Sequence, residues 1–242
     1  MMVDYELFSS KGERDKNEDS VRIVDKGNLK AFILADGLGG CGKGEIASSA
    51  AVMAVEKYVL ENDFDFDMLR NCFIEAHKGV LEAQKENDYY EMKTTLVVLL
   101  INNKKAFWGH IGDSRLYVFN SKKYEYRTSD HSVTQVLYKL GEIKEEEIRH
   151  HNDRNKLLKA LGSEDLDVEN PFECGGENVD VFDKDFLLCS DGFWEWITEK
   201  EMQKVLKKTK TPSAWINEMA SKIVENGCGN NMDNFSAIAI RY

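Results

Sequence analysis

The stretch AFILADGLGGCGKGE, residues 31–45, decides between two classes of fold. Gly37, Gly39 and Gly42 satisfy G-x-G-x-x-G, the dinucleotide-binding fingerprint, and residues 37–43 satisfy the first seven positions of the phosphate-binding P-loop. An apolar run precedes the glycines and a helical pattern follows them, as both motifs require. The competing interpretation is that the glycines serve the aspartate before them, Asp36.

Neither nucleotide-binding motif is complete. A P-loop needs Ser or Thr after its lysine, because that hydroxyl binds Mg²⁺, and this chain has Gly44 there. The dinucleotide fingerprint needs a parallel β-α-β unit with an acidic residue after the second strand. In this chain two helical patterns follow instead, over residues 45–60 and 66–84. The glycines are therefore better explained by the Asp36-Gly37 step at the end of a buried strand.

The periodicity of the whole chain predicts the α+β fold class. Strand patterns separated by short turns favour an antiparallel meander, because parallel crossovers need a dozen or more connecting residues. Strands and helices also occur in separate groups, which indicates antiparallel sheets covered by helices. The predicted strands are YELFSS (5–10), SVRIVD (20–25), KAFILAD (30–36), TTLVVLLI (94–101), KAFWGHIGD (105–113), RLYVFNS (115–121), KDFLLCSD (184–191) and FSAIAIRY (235–242). The remaining predicted helices cover residues 131–161, 194–208 and 213–226.

Length and charge limit the possible partners. The 242 residues suit a single domain, residues 1–242, and we expect a monomer. A net charge of −11 disfavours nucleic acids and anionic membranes, since phosphate groups attract clustered Lys and Arg. No apolar run is long enough to span a bilayer, and MMVDYELFSS has neither the basic start nor the apolar core of a signal peptide. We therefore expect a cytoplasmic protein without membrane insertion.

The cysteines exclude one class of enzyme. The five cysteines, at positions 41, 72, 174, 189 and 228, are odd in number and form no C-x-x-C pair, so we expect reduced thiols and no zinc site. Cysteine-based phosphatases need an arginine six residues after the nucleophile. The residues at those positions are Ala47, Lys78, Asp180, Glu195 and Asn234, so that chemistry is excluded.

Aspartates recur at the ends of the apolar runs. They are Asp19, Asp36, Asp113, Asp191 and Asp233, and two of them precede a glycine. Each alone is best explained as a turn or cap residue. In an antiparallel sandwich, however, such strand ends can converge on one cleft, where carboxylates repel one another unless a cation neutralises them. Oxygen ligands select Mg²⁺ or Mn²⁺, so the repeated pattern favours a metal site.

Eight motifs in order resemble the metal-dependent protein phosphatases of the 2C type, in particular the short bacterial catalytic domains. The resemblance extends from about Tyr5 to Tyr242. The motifs are RDKNEDS (14–20), ILADGLGG (33–40), TTLVVL (94–99), GHIGDSRLY (109–117), DHSVTQVL (130–137), LLKALG (157–162), LLCSDGFWE (187–195) and MDNFSAIAI (232–240).

The resemblance implies a four-layer α-β-β-α sandwich of two mainly antiparallel sheets flanked by helix pairs. It places a two-metal centre at one end of the sandwich. By position, Asp36 would bridge both ions and the Gly37 carbonyl would bind one of them. Asp191 and Asp233 would complete the core site.

The remaining site residues follow from the same resemblance. Glu18 and Asp19 would contribute to the metal site directly or through water. Asp113 resembles the ligand of a third, weaker metal, which it would share with Asp191. Asn234 would support the site from behind. Arg14 matches the arginine that binds the substrate phosphate.

The implied activity is hydrolysis of phosphoserine and phosphothreonine in proteins, dependent on Mn²⁺ or Mg²⁺. Two divalent ions can turn a bridging water into a hydroxide that attacks the phosphorus directly. A guanidinium can pair with two phosphate oxygens, so Arg14 and Asp36 are the candidate catalytic residues. The expected partners are phosphorylated proteins made by a Ser/Thr kinase, in bacterial signalling.

Three questions stay open at the level of sequence. A catalytically weak phosphoprotein-binding or regulatory module of the same fold is the main alternative, although such modules usually lack a metal aspartate. The flap-like segment, about residues 141–155, is either a solvated helix or a substrate-selecting lid. Leu38 stands where many eukaryotic relatives have a histidine considered a general acid, so the proton donor for the leaving group is not identified.

Overall fold

The computed structural model describes residues 3–38, 43–167 and 173–242. Within these ranges the strands are β1 (Asp4–Ser10), β2 (Asp19–Lys26), β3 (Leu29–Leu38), β4 (Lys93–Thr94), β5 (Leu96–Asn102), β6 (Lys105–Ile111), β7 (Arg115–Asn120), β8 (Lys123–Arg127), β9 (Glu173–Asp180), β10 (Lys184–Cys189) and β11 (Phe235–Arg241). The helices are α1 (Gly44–Glu61), α2 (Met68–Glu86), α3 (Val133–Lys139), α4 (Asp191–Trp194), α5 (Glu199–Lys208) and α6 (Pro212–Gly227), with a 3-10 helix at Glu145–His150. Gly39, Cys41 and Gly42 lie outside the described residues.

The strands form two antiparallel sheets. One sheet has the order β1-β11-β10-β7-β8, and the other has the order β2-β3-β5-β6-β9, with β4 paired to β3. Every strand pair within the described residues is antiparallel. This arrangement excludes the parallel topology of a dinucleotide-binding fold and confirms the predicted α+β class.

The alternation of side chains along the strands creates three apolar layers. In β3, Phe32 and Leu34 pack between the sheets, whereas Ile33 faces the other way and packs with residues of α1 and α2. On the opposite side, Leu187 of β10 packs with Trp215 and other residues of α5 and α6. The four-layer α-β-β-α sandwich is therefore confirmed.

Two predicted helices differ from the structure. The pattern over 131–161 predicts one helical region, but only α3 and the 3-10 helix form there, and residues 151–160 contain no helix. The helix predicted over 194–208 begins only at Glu199. The Thr198 side chain accepts a hydrogen bond from the Glu201 amide while the Glu201 carboxylate accepts one from the Thr198 amide, a capping box that starts α5.

Two strands were not predicted from sequence. β8 is the edge strand of its sheet, and its residues KYEYR are exposed at every position except the last. It therefore has no alternating apolar pattern by which a strand is recognised. β9 has the sequence ECGGENVD, which contains neither an alternating nor a continuous apolar pattern.

Three of the five cysteines have described side chains, and these three are free thiols. Cys72 and Cys189 are buried free thiols and Cys228 is an exposed one. Burial raises the pKa of Cys72 to about 12, which keeps that thiol protonated. Among the described residues, no helix is long and apolar enough to cross a membrane.

Truncation of the central apolar layer tests the packing. Ile238 of β11 is 0% exposed between the two sheets, so Ile238→Ala should lower the free energy of unfolding by about 2–5 kcal/mol. Leu60→Ala, at a residue of α1 that is 52% exposed, should change it by less than about 0.5 kcal/mol. Urea unfolding measures both values, and equal losses in the two variants would contradict the layer assignment.

Candidate metal centre

A cleft of about 720 Å³ opens at one edge of the sandwich. It lies where β2 and β11 begin and where β3, β6 and β10 end, since antiparallel strands bring such ends to the same edge. Its walls are formed by Arg14, Asp15, Lys16, Glu18, Asp36, Gly37, Leu38, Asp113, Asn155, Leu157, Asp191, Asp233 and Asn234. Of the nine residues that the sequence proposes for the site, only Asp19 is missing from this lining.

Asp36 and Gly37 lie at the centre of the cleft. Asp36 is paired with Asp19 across the β2–β3 ladder, and the Gly37 amide donates to the Glu18 carbonyl at 3.1 Å. A Cβ on Gly37 would lie 2.2 Å from the carbonyl oxygen of Gly44. The close contact of these two backbones explains why glycine occupies position 44, where a P-loop would have a hydroxyl.

Asp19 lies behind the cleft with one oxygen satisfied and one not. The Ser190 hydroxyl donates to Asp19 Oδ2 at 2.8 Å and accepts from the Ser236 amide at 3.0 Å. Asp19 Oδ1 is buried and has no hydrogen-bond partner. A buried acceptor of this kind costs free energy unless something else satisfies it.

Asp113 and Asp191 form the opposite side of the cleft. Asp113 follows β6 and is 5% exposed, and its carbonyl accepts a hydrogen bond from Trp194 Nε1 at 2.9 Å. Asp191 follows β10 and begins α4. The next residue, Gly192, has no room for a side chain, because a Cβ there would lie 2.3 Å from the Asn234 carbonyl. This contact brings the start of β11 against the end of β10.

Asn234 holds the loop that carries Arg14. Its side-chain Oδ1 accepts from the Glu18 amide at 2.7 Å, and its Nδ2 donates to the carbonyls of Lys11 and Lys16 at 2.9 and 2.8 Å. Arg14 Nη2 donates to Asp233 Oδ2 at 3.0 Å, and the Arg14 side chain remains 41% exposed. The guanidinium therefore lies at the mouth of the cleft beside a carboxylate.

Several carboxyl groups at the cleft have pKa values above their ordinary range. Burial, followed by the charges of neighbouring aspartates, raises the pKa of Asp19 to about 7 and that of Asp191 to about 6. Burial and the same neighbours hold the pKa values of Asp36 and Asp113 well above their usual range. Burial also raises the pKa of Glu18. Such clustered shifts are typical of functional sites.

The donor set fits a hard divalent cation. Within the described ranges, no group of three or more His, Cys, Asp or Glu side chains is already arranged to hold a metal ion. The fit rests instead on the five proposed carboxyl groups that line the cleft, on the Gly37 backbone beside them and on the Asp19 carboxyl behind them, whose Oδ1 is unsatisfied. These are all oxygen donors, the type that Mg²⁺ and Mn²⁺ prefer.

The flap-like segment is anchored to the helices beside the cleft. Arg154 Nη2 donates to Glu195 Oε2 at 2.8 Å, and Glu195 is only 7% exposed. Ile148 of the 3-10 helix is buried among the apolar residues of the layer beneath α5 and α6. Part of this segment is therefore packed against the domain.

Sequence reasoning did not find every residue of the cleft wall. Lys16, Asn155 and Leu157 line it but were not proposed as site residues. Lys16 and Leu157 fall inside quoted motifs, RDKNEDS and LLKALG, so their motif positions were an available signal. Asn155 ends the flap-like segment and has no such signal.

The chain as a whole is similar to known proteins. Residues 10–225 match the family model described as Protein phosphatase 2C. The chain is 34% identical over 208 residues to the Serine/threonine phosphatase stp of Listeria monocytogenes, covering 83% of this chain and 81% of that protein. The structure of Serine/threonine phosphatase Stp1 from Staphylococcus aureus superimposes with a TM-score of 0.87 at 27% identity, covering 100% of this chain and 96% of that one.

A further solved structure is similar in fold. The catalytic domain of the serine/threonine protein phosphatase PstP, solved in complex with two manganese ions, matches with a TM-score of 0.81 at 24% identity. The match covers 99% of this chain and 97% of that one.

The raised pKa of Asp191 predicts a stability change of definite sign. Its folded pKa of about 6 exceeds the ordinary value of about 3.9, so ionisation opposes folding, and the penalty grows as the pH rises from about 4 to above 6. In EDTA, Asp191→Asn should therefore melt higher than the parent protein at about pH 8 and should differ little at about pH 4.

Scanning calorimetry at the two pH values measures this effect. Asp183→Asn is the matched control, because Asp183 is exposed in the turn before β10 and its φ of 57° suits Asn. A gain for Asp191→Asn that is the same at both pH values would show that ionisation of Asp191 is not its cause.

Proposed function

The chain belongs to the protein phosphatase 2C family, and we propose that it hydrolyses phosphoserine and phosphothreonine in proteins. It is an enzyme of the phosphoprotein phosphatase class, dependent on Mn²⁺ or Mg²⁺. One observation carries the proposal for this chain: Glu18, Asp36, Asp113, Asp191 and Asp233 line one cleft, Asp19 lies directly behind it, and an arginine stands at its mouth. The cleft is thus suited to hold divalent cations and a phosphate together.

The metal-holding residues are proposed from their placement in the cleft. Asp36, Gly37, Asp191 and Asp233 line the cleft, and the three carboxylates together with the Gly37 carbonyl would hold the ions. Glu18 and Asp19 would assist directly or through water, and the unsatisfied Asp19 Oδ1 fits that role. Asp113 would hold a third ion with Asp191. When bound, the ions supply positive charge that activates water for direct attack on phosphorus.

Arg14 is proposed to bind the substrate phosphate. Its Nη2 pairs with Asp233, and the side chain is still 41% exposed, so a guanidinium with five N–H donors retains donors for a second anion. A guanidinium can hold two phosphate oxygens and oppose the negative charge that develops on them. Asn234 contributes by fixing the loop from which Arg14 extends.

Leu38 lines the cleft but has no proton to donate. The leaving serine or threonine oxygen must therefore receive its proton from another source in the cleft. The aspartates with raised pKa values are unsuited to donate this proton, because they would have to be ionised to hold the cations. We propose that water held in the cleft supplies this proton.

The wider biological role follows the family assignment. We propose that residues 1–242 form one catalytic domain acting as a monomer in the cytoplasm, on proteins phosphorylated by a Ser/Thr kinase. The flap-like segment, residues 141–155, lies beside the cleft through Asn155 and is the segment proposed to contact the protein substrate.

A phosphoprotein-binding module without catalysis is the alternative function. Such a module needs Arg14 but has no use for a full set of metal-holding carboxylates. All six carboxyl groups are present at the cleft, and burying them is unfavourable without a cation. Because the chain keeps these buried carboxyl groups despite their unfavourable free energy, catalysis explains them better than binding alone.

The activity itself is the first test. Purified protein should release phosphate from a phosphothreonine peptide with Mn²⁺ or Mg²⁺, fail in EDTA, and survive thiol alkylation. Asp191→Asn should lower kcat by more than about 100-fold while the fold survives, because it removes a charged ligand from the cleft. Asp183→Asn should leave kcat unchanged. Full activity of Asp191→Asn would overturn the site assignment, and Mn²⁺ binding without phosphate release would favour the binding module.

Removal of the arginine separates substrate binding from metal binding. Arg14→Ala should lower kcat/KM on the phosphopeptide by about 10- to 1000-fold, since a positioned donor to the phosphate is lost. Mn²⁺ affinity measured by calorimetry should not fall, because Arg14 holds no cation itself and its removal leaves the Asp233 carboxylate free to bind one. Arg22→Ala is the matched control, because Arg22 is 51% exposed on β2 and pairs with Glu56 outside the cleft. A large loss of Mn²⁺ affinity in Arg14→Ala would contradict the phosphate role.

A further inference from the structure

Thr95 is a buried residue between β4 and β5 that is not part of the cleft wall. It is 0% exposed, and the register of β3 with β4 and β5 places it directly opposite Asp36. The Thr95 amide donates to the Asp36 carbonyl at 2.9 Å, as expected for an antiparallel pair. The returning bond is different, because the Asp36 amide donates to the Thr95 hydroxyl at 2.9 Å.

The hydroxyl therefore replaces a backbone carbonyl in the ladder. In a regular pair the Asp36 amide would donate to the Thr95 carbonyl, but that carbonyl instead accepts from the Thr94 hydroxyl at 3.0 Å. Thr94 Oγ1 also lies 2.8 Å from the Asp36 carbonyl oxygen, so its single proton is shared between the two carbonyls. Both polar backbone atoms of Asp36 are thus fixed by two successive threonines.

The same Thr95 side chain contacts both neighbours of Asp113. Its hydroxyl forms a hydrogen bond of 2.7 Å with the buried Ser114 hydroxyl. Its methyl group packs on Gly112, where an added Cβ would lie 2.6 Å from Thr95 Cγ2. Gly112 has a φ of 94°, so glycine is needed there both for its backbone conformation and for this contact. The Thr95 hydroxyl therefore contacts the residue after Asp113, and the Thr95 methyl group contacts the residue before it.

The far side of that turn is also fixed. The Gly112 amide donates to His131 Nδ1 at 3.1 Å, and the His131 amide donates to the Gly112 carbonyl at 2.9 Å. The position of Asp113 is thus set by His131 on one side and by Thr95 on the other. Thr95 also reaches Asp36 through its hydroxyl.

We infer that Thr95 is a positioning residue that sets the spacing between Asp36 and Asp113 through its hydroxyl. This inference rests on the proposed function, in which both aspartates hold divalent cations. Carboxylates that repel one another need their backbones held rigidly to present oxygens at a fixed separation. The Asp36 amide, the Thr95 hydroxyl and the Ser114 hydroxyl form one continuous link between β3 and the turn that carries Asp113.

A pair of substitutions separates the two branches of Thr95. Thr95→Val keeps a methyl group at each branch but loses the hydroxyl, whereas Thr95→Ser keeps the hydroxyl and loses the methyl. Thr95→Val should lower Mn²⁺ affinity and kcat by about 10- to 100-fold, the range for residues that orient metal ligands. Thr95→Ser should stay within about threefold of the parent protein in both. KM for the phosphopeptide should hardly change, because Asn234 and not Thr95 holds the Arg14 loop.

Thr128→Val is the matched control. Thr128 is 0% exposed, and its hydroxyl accepts from the Leu116 amide at 3.0 Å, so the control also removes a buried acceptor of a backbone proton. It lies outside the cleft wall and should leave Mn²⁺ affinity unchanged. Calorimetric titration of metal-free protein gives the affinities, and thermal unfolding reports whether each variant folds.

The outcomes separate the inference from the function on which it rests. A parent protein that neither binds Mn²⁺ nor releases phosphate overturns both. A parent protein that does both, with Thr95→Val binding Mn²⁺ as tightly or with Thr95→Ser losing as much as Thr95→Val, overturns the inference alone. If Thr95→Val does not fold, Ser114→Ala removes only the link to the Asp113 turn. Unchanged Mn²⁺ affinity in Ser114→Ala would then contradict the inference.

Discussion

Six carboxyl groups crowd one edge of the β-sandwich, and their mutual repulsion is the constraint that the surrounding residues have to satisfy. Burial raises the pKa of Asp36 and Asp113 well above the ordinary range, and neighbouring aspartates raise it further. Such a cluster costs free energy in the folded protein, so the surrounding residues must hold it in place. Glycines at positions 37, 44 and 192 remove side chains that would keep the backbones apart. The apolar sandwich behind them supplies the rigidity.

Different strand ends carry different functional groups of the cleft. The β3 end presents Asp36 and is fixed by backbone and hydroxyl bonds to Thr94 and Thr95. The β11 start presents Asp233 and, one residue later, an amide that holds the loop of Arg14. Thr95 is hydrogen-bonded to Asp36 and Ser114, whereas the Arg14 loop is held by Asn234, which also accepts from the Glu18 amide. Because Thr95 and Arg14 make different contacts, substitutions of the two should affect different steps.

Much of the fold and site is readable in the sequence, for physical reasons. Buried strands such as β3 and β10 have long apolar runs, and each ends in an aspartate followed by glycine, so both their existence and their chemistry are visible. The edge strand β8 is exposed and has no such pattern, and the helix break before Thr198 depends on a capping box within a polar stretch. Thr95 was visible only as part of a motif. Its role depends on Ser114 and Gly112, which no local pattern connects with it.

Locating the bound cations tests directly whether this cluster of carboxyl groups is a metal centre. Crystals grown with Mn²⁺ and measured at the manganese absorption edge give anomalous difference peaks at the positions of the ions. We expect peaks inside the cleft, within bonding distance of Asp36, Asp191 and Asp233, and we expect their loss in crystals of Asp36→Asn. Peaks confined to other surface carboxylates, or a cleft without any peak at saturating Mn²⁺, would contradict the assignment of this cluster as a metal centre.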